Sequence, residues 1–248
     1  MLKRLFCIIV TMLLMASCSG VLRTEKKEKP LSMEEHFQLA FSAAERGNLE
    51  EAIAEYQKVL KMDSKHFRAH LNLGVIYGRQ GKWKKEISKY KKAIDINPNF
   101  TEAYFNLGVA YGEQGKFDEA ITFYQKALQI LPNHVETHNN LGVLYLRKGK
   151  LDEAFSEYKK TIEIRPDYPK GHFNLGYVYH QKGKLEEAMA SFQEALKIQP
   201  NYAEAHYNLA AIYYENQEFK LAIQYLDQAV KFGKKVDPKL LEHLRPYR

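Results

Sequence analysis

Histidine is the residue type whose number and spacing could carry chemistry in this chain. His36, His70, His138, His172 and His206 stand 34 residues, or twice 34, from the next, and Tyr104 fills the vacant place in the series. An imidazole can move a proton near neutral pH or ligate a metal. A metal ion needs its ligands at about 2 Å, and side chains a full interval apart cannot converge on one ion. His66/His70 and His134/His138 have the i, i+4 spacing of one helix face, but His66 and His134 fall in the turn before a helix. The column therefore reads as aromatic packing between helices, and no metal site is expected. No Gly-rich phosphate loop, nucleophile elbow or HExxH motif accompanies it. The paired acids Asp118-Glu119, Asp152-Glu153 and Glu186-Glu187 open helices, where negative charge suits the helix dipole, and do not form a general acid/base pair. The expectation is a protein that is not an enzyme, with no cofactor and no small-molecule substrate.

The elements that position these histidines repeat at the same interval. Aligned on the stretch 101–134, TEAYFNLGVAYGEQGKFDEAITFYQKALQILPNH, the chain divides into six consecutive units: 33–66, 67–100, 101–134, 135–168, 169–202 and 203–236. The seventh place holds Leu39, Leu73, Leu107, Leu141, Leu175 and Leu209; the eighth holds Gly74, Gly108, Gly142 and Gly176, with Ala40 and Ala210 at the ends. Tyr77, Tyr111, Tyr145, Tyr179 and Tyr213 follow, then Ala52, Ala120, Ala154, Ala188 and Ala222, with Glu86 as the exception. Leu107, Gly108 and Tyr111 make an apolar stripe on a first helix. Gly115 stops it, because a residue without Cβ takes the left-handed cap. Phe117, Ala120, Ile121, Tyr124 and Leu128 build a second amphipathic helix, and small Gly108 and Ala120 let the two axes approach. Pro98, Pro132, Pro166 and Pro200 end the second helix of the second to fifth units. No unit buries its stripe alone, so neighbours must stack.

The period and the Leu-Gly, Tyr, Ala and Pro columns resemble the tetratricopeptide repeat. The resemblance covers 33–236 and implies an all-α, right-handed superhelical solenoid of six helix-turn-helix repeats. Residues 237–248 are expected to cap it, with Leu240, Leu241 and Leu244 on a short helix over the last apolar face. The first unit departs as a terminal unit should, with Ala40, Ala43 and Ser64 in place of Gly, Tyr and Pro. The sixth lacks the turn glycine, having Asn216-Gln217, and carries Lys234 in place of the proline.

The resemblance also implies that first helices line a concave groove. Asn72, Asn106, Asn140, Asn174 and Asn208 occupy one column on that side, and an amide carries both donor and acceptor. Such a ladder suits an extended peptide backbone, although asparagine there also serves local structure. Phe105, Phe173, Tyr177 and Tyr207, with Phe37, Phe41, Leu71, Val75, Val109, Val143, Leu146 and Tyr214, would edge an apolar trough for a peptide or helix. The lysine clamp that some members use for C-terminal carboxylates is not matched, since Phe37, Leu71, Phe105 and Phe173 stand in its place.

Residues 1–17 carry Lys3 and Arg4 before an apolar run at 5–15, the pattern of an export signal too short for a membrane span. Leu14-Met15-Ala16-Ser17-Cys18 resembles a bacterial lipobox, which implies lipidation at Cys18; Ser19 after it implies the outer membrane in a two-membrane bacterium. Residues 18–32 then read as the lipidated cysteine and a polar tether. Both cysteines lie in the first 18 residues, so the repeats hold no disulfide.

The chain has a formal charge of +7, concentrated in the second unit. Arg68, Arg79, Lys82, Lys84, Lys85, Lys89, Lys91 and Lys92 stand there against Glu86 and Asp95, a net of +6. Such a face is either a solvated helix surface or a patch for anionic lipid, envelope polymer or acidic protein. No aromatic stacking platform accompanies the charge, so nucleic acid is not expected. The chain thus reads as a lipid-anchored scaffold that holds a protein or peptide at the cell envelope. Its size, repeat number and anchor resemble the pilotin lipoproteins of type IV pilus secretins.

Overall fold

The computed structural model describes residues 30–247. The readings placed on 1–29, including the export signal and Cys18, lie outside the described residues. Those residues form six antiparallel helix pairs and a short terminal helix, with no strand among them. The pairs are α1 (Met33–Glu45) with α2 (Leu49–Met62), α3 (Phe67–Arg79) with α4 (Trp83–Ile96), and α5 (Thr101–Glu113) with α6 (Phe117–Ile130). They continue with α7 (Val135–Arg147) and α8 (Leu151–Ile164), α9 (Pro169–Gln181) and α10 (Leu185–Ile198), and α11 (Ala203–Glu215) and α12 (Phe219–Lys231). Helix α13 (Pro238–Leu244) and a 3₁₀ turn at Arg245–Tyr247 close the chain. Each helix packs chiefly on its neighbours in sequence, and α1–α3 and α3–α5 also touch side by side. Among the described residues no helix is long and apolar enough to cross a membrane.

The first helix starts where its sequence says it should. Ser32 caps α1 by accepting the Glu35 N–H, while the Glu35 carboxylate accepts the Ser32 N–H at 2.7 Å. The turn inside each pair rests on one backbone state. Gly47, Gly81, Gly115, Gly149 and Gly183 have φ between 67° and 81°. The next N–H then reaches back to a first-helix carbonyl, as Lys116 N does to Tyr111 O at 2.9 Å. The sixth pair keeps this turn without the glycine: Gln217 takes φ 64°, and Glu218 N reaches Tyr213 O at 2.8 Å.

The eighth-place glycines face an aromatic ring rather than the small column of the second helix. A Cβ on Gly108 would lie 2.4 Å from the Tyr124 ring, and Gly74 and Gly142 stand the same way against Tyr90 and Tyr158. Those tyrosines are 3%, 3% and 0% exposed, and burying a side chain of this size contributes about 2–3 kcal/mol. The glycine column therefore makes room for the largest core residues. In the second unit Glu86, although charged, sits where other units have alanine and is 5% exposed. Gly78 opposite leaves space for it, a Cβ there meeting Glu86 Oε1 at 2.6 Å.

The two ends differ. Leu73, Leu107 and Leu209 are buried, but Leu39 in the same column is 41% exposed, with no helix pair packed ahead of it among the described residues. At the other end α13 packs as its sequence implies: Leu244 is 1% exposed and joins Ala210, Ile223 and Leu226, with Leu240 and Leu241 partly buried beside them.

Candidate functional site

The asparagine column lies on the face built by the first helices, and its five members are not equivalent. Asn72 and Asn140 donate to the hydroxyls of Tyr56 and Tyr124, at 2.8 and 3.4 Å, each a second-helix residue of the preceding unit. Asn174 donates to Asn139 Oδ1 at 2.8 Å, and Asn208 to the Glu204 carbonyl within its own helix. The Asn106 side chain makes no hydrogen bond among the described residues. Two of the five amides thus clamp one unit to the previous one through a tyrosine, a link the sequence reading did not include. Its signal was present: the tyrosine stands 16 residues before the asparagine in both cases. Each amide keeps its carbonyl or its second N–H for another partner.

Two depressions open beside the column, one between α1 and α3 and a larger one of about 450 Å³ between α5 and α7. Their linings match place for place. Each has a tyrosine and the asparagine of the next unit (Tyr56 and Asn72, Tyr124 and Asn140), a valine (Val75, Val143), and a Glu–Arg pair, Glu45 with Arg79 and Glu113 with Arg147. Such a lining offers an apolar wall, amide groups and one charge of each sign to a bound chain.

The predicted aromatic edge is spread between this surface and the joints. Phe105 is half-buried, its ring 5.8 Å from Tyr124 and 5.3 Å from His134, which ends the unit and caps the next helix. Phe173 is placed alike, between Phe192 and Tyr202. Tyr177 and Tyr207 are half-buried in the apolar clusters of the last two units, and the Lys234 ammonium lies 5.3 Å from the Tyr207 ring centre. Phe41 is the most exposed of the set at 49%.

The histidine column does more than pack. His70, His138, His172 and His206 each place Nε2 against the carbonyl of the residue six places earlier, Ser64, Pro132, Pro166 and Pro200, at 2.7–3.2 Å. They stitch the turn between units. In two units Nδ1 also meets a carboxylate, His36 with Glu55 at 2.5 Å and His138 with Glu157 at 2.6 Å. Burial alone would raise the Glu157 carboxyl, but His138 and Lys160 outweigh it and hold it below the ordinary range. His66 and His134 are helix N-caps, accepting the N–H of Ala69 and Thr137. No cluster that could hold a metal ion forms among the described residues.

In the basic second unit Lys82, Lys84, Lys85, Lys91 and Lys92 are exposed and Lys89 is half-buried. No carboxylate pairs with any of the six among the described residues. Lysines of other units do find one, as Lys148 does with Asp118 and Lys182 with Asp152. Lys82 bonds Gln80, and Lys85 lies over the Tyr77 ring.

Profiles described as tetratricopeptide or TPR repeat match the chain at 43–81, 79–115, 101–167, 157–190, 176–217 and 203–232. No curated protein gives a significant match. Among solved structures, MamA is 30% identical, with a TM-score of 0.60 over 67% of this chain and 97% of that one. YrrB, described as a TPR protein with an unusual peptide-binding site, is 25% identical at TM-score 0.57, covering 70% of this chain and 90% of its own. PilF of Pseudomonas aeruginosa is 24% identical at TM-score 0.64, over 68% and 78% of the two chains, a likeness of fold. With the helix pairs, the αL turns and these matches in agreement, the chain belongs to the tetratricopeptide repeat family.

Proposed function

We propose that this protein is a non-catalytic scaffold whose first-helix face forms a concave groove for a peptide or helix of a partner protein. The observation that carries this reading is the repeated lining of the two depressions, with amide, valine and paired Glu–Arg groups in matching places. The unspent Asn106 amide between them adds a free donor and acceptor on the same face. YrrB, a related repeat protein, has a peptide-binding site by its description. Binding of this kind is passive: a preformed groove and several weak contacts across adjacent units. Lipidation at Cys18 would hold the groove at the cell envelope and raise its local concentration near membrane partners. Within that class, the role closest in architecture is assembly of a type IV pilus secretin.

The test is site-specific photo-crosslinking in the full chain. A crosslinking side chain at Val109 or Val143 is expected to give one discrete protein adduct, and the same group at exposed Lys159 on α8 none. Asn106→Ala should weaken the Val109 adduct. Adducts that arise at Lys159 and not at Val109 or Val143 would remove the groove from consideration. Cys18→Ala should release the protein from the membrane fraction; retention there would end the lipid-anchor reading.

A further inference from the structure

A carboxylate that is built into two of the six units is missing from the second. In the first and fourth units, Glu55 and Glu157 stand between an imidazole and an ammonium. Their Oε2 atoms lie 2.5 and 2.6 Å from Nδ1 of His36 and His138, and their Oε1 atoms 2.6 and 3.0 Å from Nζ of Lys58 and Lys160. The second unit keeps both cationic ends, His70 and Lys92, at the same places in the 34-residue frame. Between them it carries Lys89 where the glutamate belongs.

The exchange leaves a gap in the hydrogen bonding. His70 is 7% exposed, and its Nδ1 is shielded from solvent with no partner. His70 lines a depression of about 600 Å³ together with Lys84, Lys89, Lys91 and Lys92, and Asp95 is the one acid on its wall. A buried polar atom without a partner is costly, and four ammonium groups on one concave surface repel each other. An anion with several oxygens relieves both at once.

We propose that this depression is a binding site for a phosphate-type oxyanion, free or carried on a lipid headgroup, which takes the place of the missing carboxylate between His70 and Lys92. Phosphate fits better than a carboxylate because four lysines exceed what a single negative charge neutralises. The site is on the second unit and is independent of the groove. Nδ1 is closed to solvent in the structure, so the anion reaches it only with a movement of the side chains that cover it. The Nε2–H of His70 is committed to the Ser64 carbonyl at 3.2 Å, so Nδ1 can donate to the anion only when the ring is protonated. In the empty site burial lowers the His70 pKa, the Ser64 carbonyl opposes this, and the charges of Lys89, Lys92 and His66 lower it further. Lys84, Lys91 and Asp95 complete the charged groups around it. A bound oxyanion reverses the balance, so binding takes up a proton.

The experiment follows the His70 imidazole by NMR in the full chain held in non-ionic detergent micelles, its signals assigned by their loss in His70→Gln. Inorganic phosphate is expected to shift them saturably and to raise the apparent pKa. Sulfate, whose charge does not titrate near neutrality, should bind more weakly as pH rises. Lys89→Glu rebuilds the pair seen in the first and fourth units, so it should fold and weaken binding by about tenfold or more, the loss of a charge-assisted contact. Lys82→Gln with Lys85→Gln, outside the depression, should leave affinity within about twofold. Micelles doped with phosphatidylglycerol identify a headgroup source if they saturate the His70 shift and compete with phosphate. No saturable shift with either probe, or equal loss in the Lys82/Lys85 variant, overturns the proposal and leaves only a diffuse basic face.

Discussion

Glu86 is the place where a small change should alter stability most legibly. It replaces the alanine of every other unit, and its Oε2 is buried with no hydrogen-bond partner. Burial pushes the carboxyl above the ordinary carboxylate range, the Glu113 charge pushes it further, and the Tyr90 hydroxyl offsets part of this. A carboxyl held above its unfolded value binds more protons folded than unfolded, so stability is lost as pH rises through that window. Leaving such an acceptor unsatisfied costs about 1–3 kcal/mol, while the one methylene lost on truncation to alanine contributes about 0.8 kcal/mol by burial. Glu86→Ala recreates the Gly112–Ala120 pairing of the third unit, where even a Cβ added to Gly112 would meet Ala120 at an ordinary 3.9 Å. Near neutral pH the variant should be more stable by about 1 kcal/mol, and below the unfolded carboxylate range less stable by about the same, as only the methylene loss remains. Glu86→Gln keeps the shape, gains near neutrality and flattens the pH dependence. Urea unfolding followed by far-UV circular dichroism, read as midpoints because repeat arrays need not unfold in two states, measures all three. A Glu86→Gln midpoint below that of the parent at neutral pH, or an unchanged pH slope, would refute the reasoning.

Two further outcomes are expected. Glu157→Gln should cost about 2 kcal/mol near neutrality, because His138 Nδ1 and Lys160 lose their anion, and the difference should shrink as pH falls. The sign follows from a carboxyl held below its unfolded value, which contributes stability above the carboxylate range and loses it as pH falls through the folded pKa; the same urea series at acid pH checks it. Gln217→Gly should raise the unfolding midpoint by an amount equivalent to about 1 kcal/mol, since glycine takes the positive φ there without a Cβ clash.

The sequence carried the architecture because each structural duty recurs at one place in the frame. Gly115 and its counterparts marked the turns, and Leu240, Leu241 and Leu244 marked the cap. What it hid lies in side chains that meet across helices. The duty of Gly108 depends on the ring of Tyr124, 16 residues on, and that of Asn140 on the hydroxyl of the same residue in the unit before. Gly78 and Glu86 are unremarkable singly and become an exchange of volume only when seen face to face. In the same way Lys89 read as one lysine among eight basic residues until the positions of His36–Glu55 and His138–Glu157 showed what it replaces. Where a column is uniform the pattern suffices; where one unit departs from it, the consequence lies in the partner.

Because each helix rests mainly on its sequential neighbours, the molecule has the mechanics of a coil spring rather than of a solid body. Ties between elements beyond the adjacent pair are few among the described residues, so small rotations at successive joints would add up along the length and change the curvature of the first-helix face at little local cost. A guest that grips several turns at once would act as a splint, stiffening the coil and fixing its pitch. Tension along the chain would do the reverse, flattening that face and loosening a guest held there, which would couple occupancy to load without any dedicated hinge.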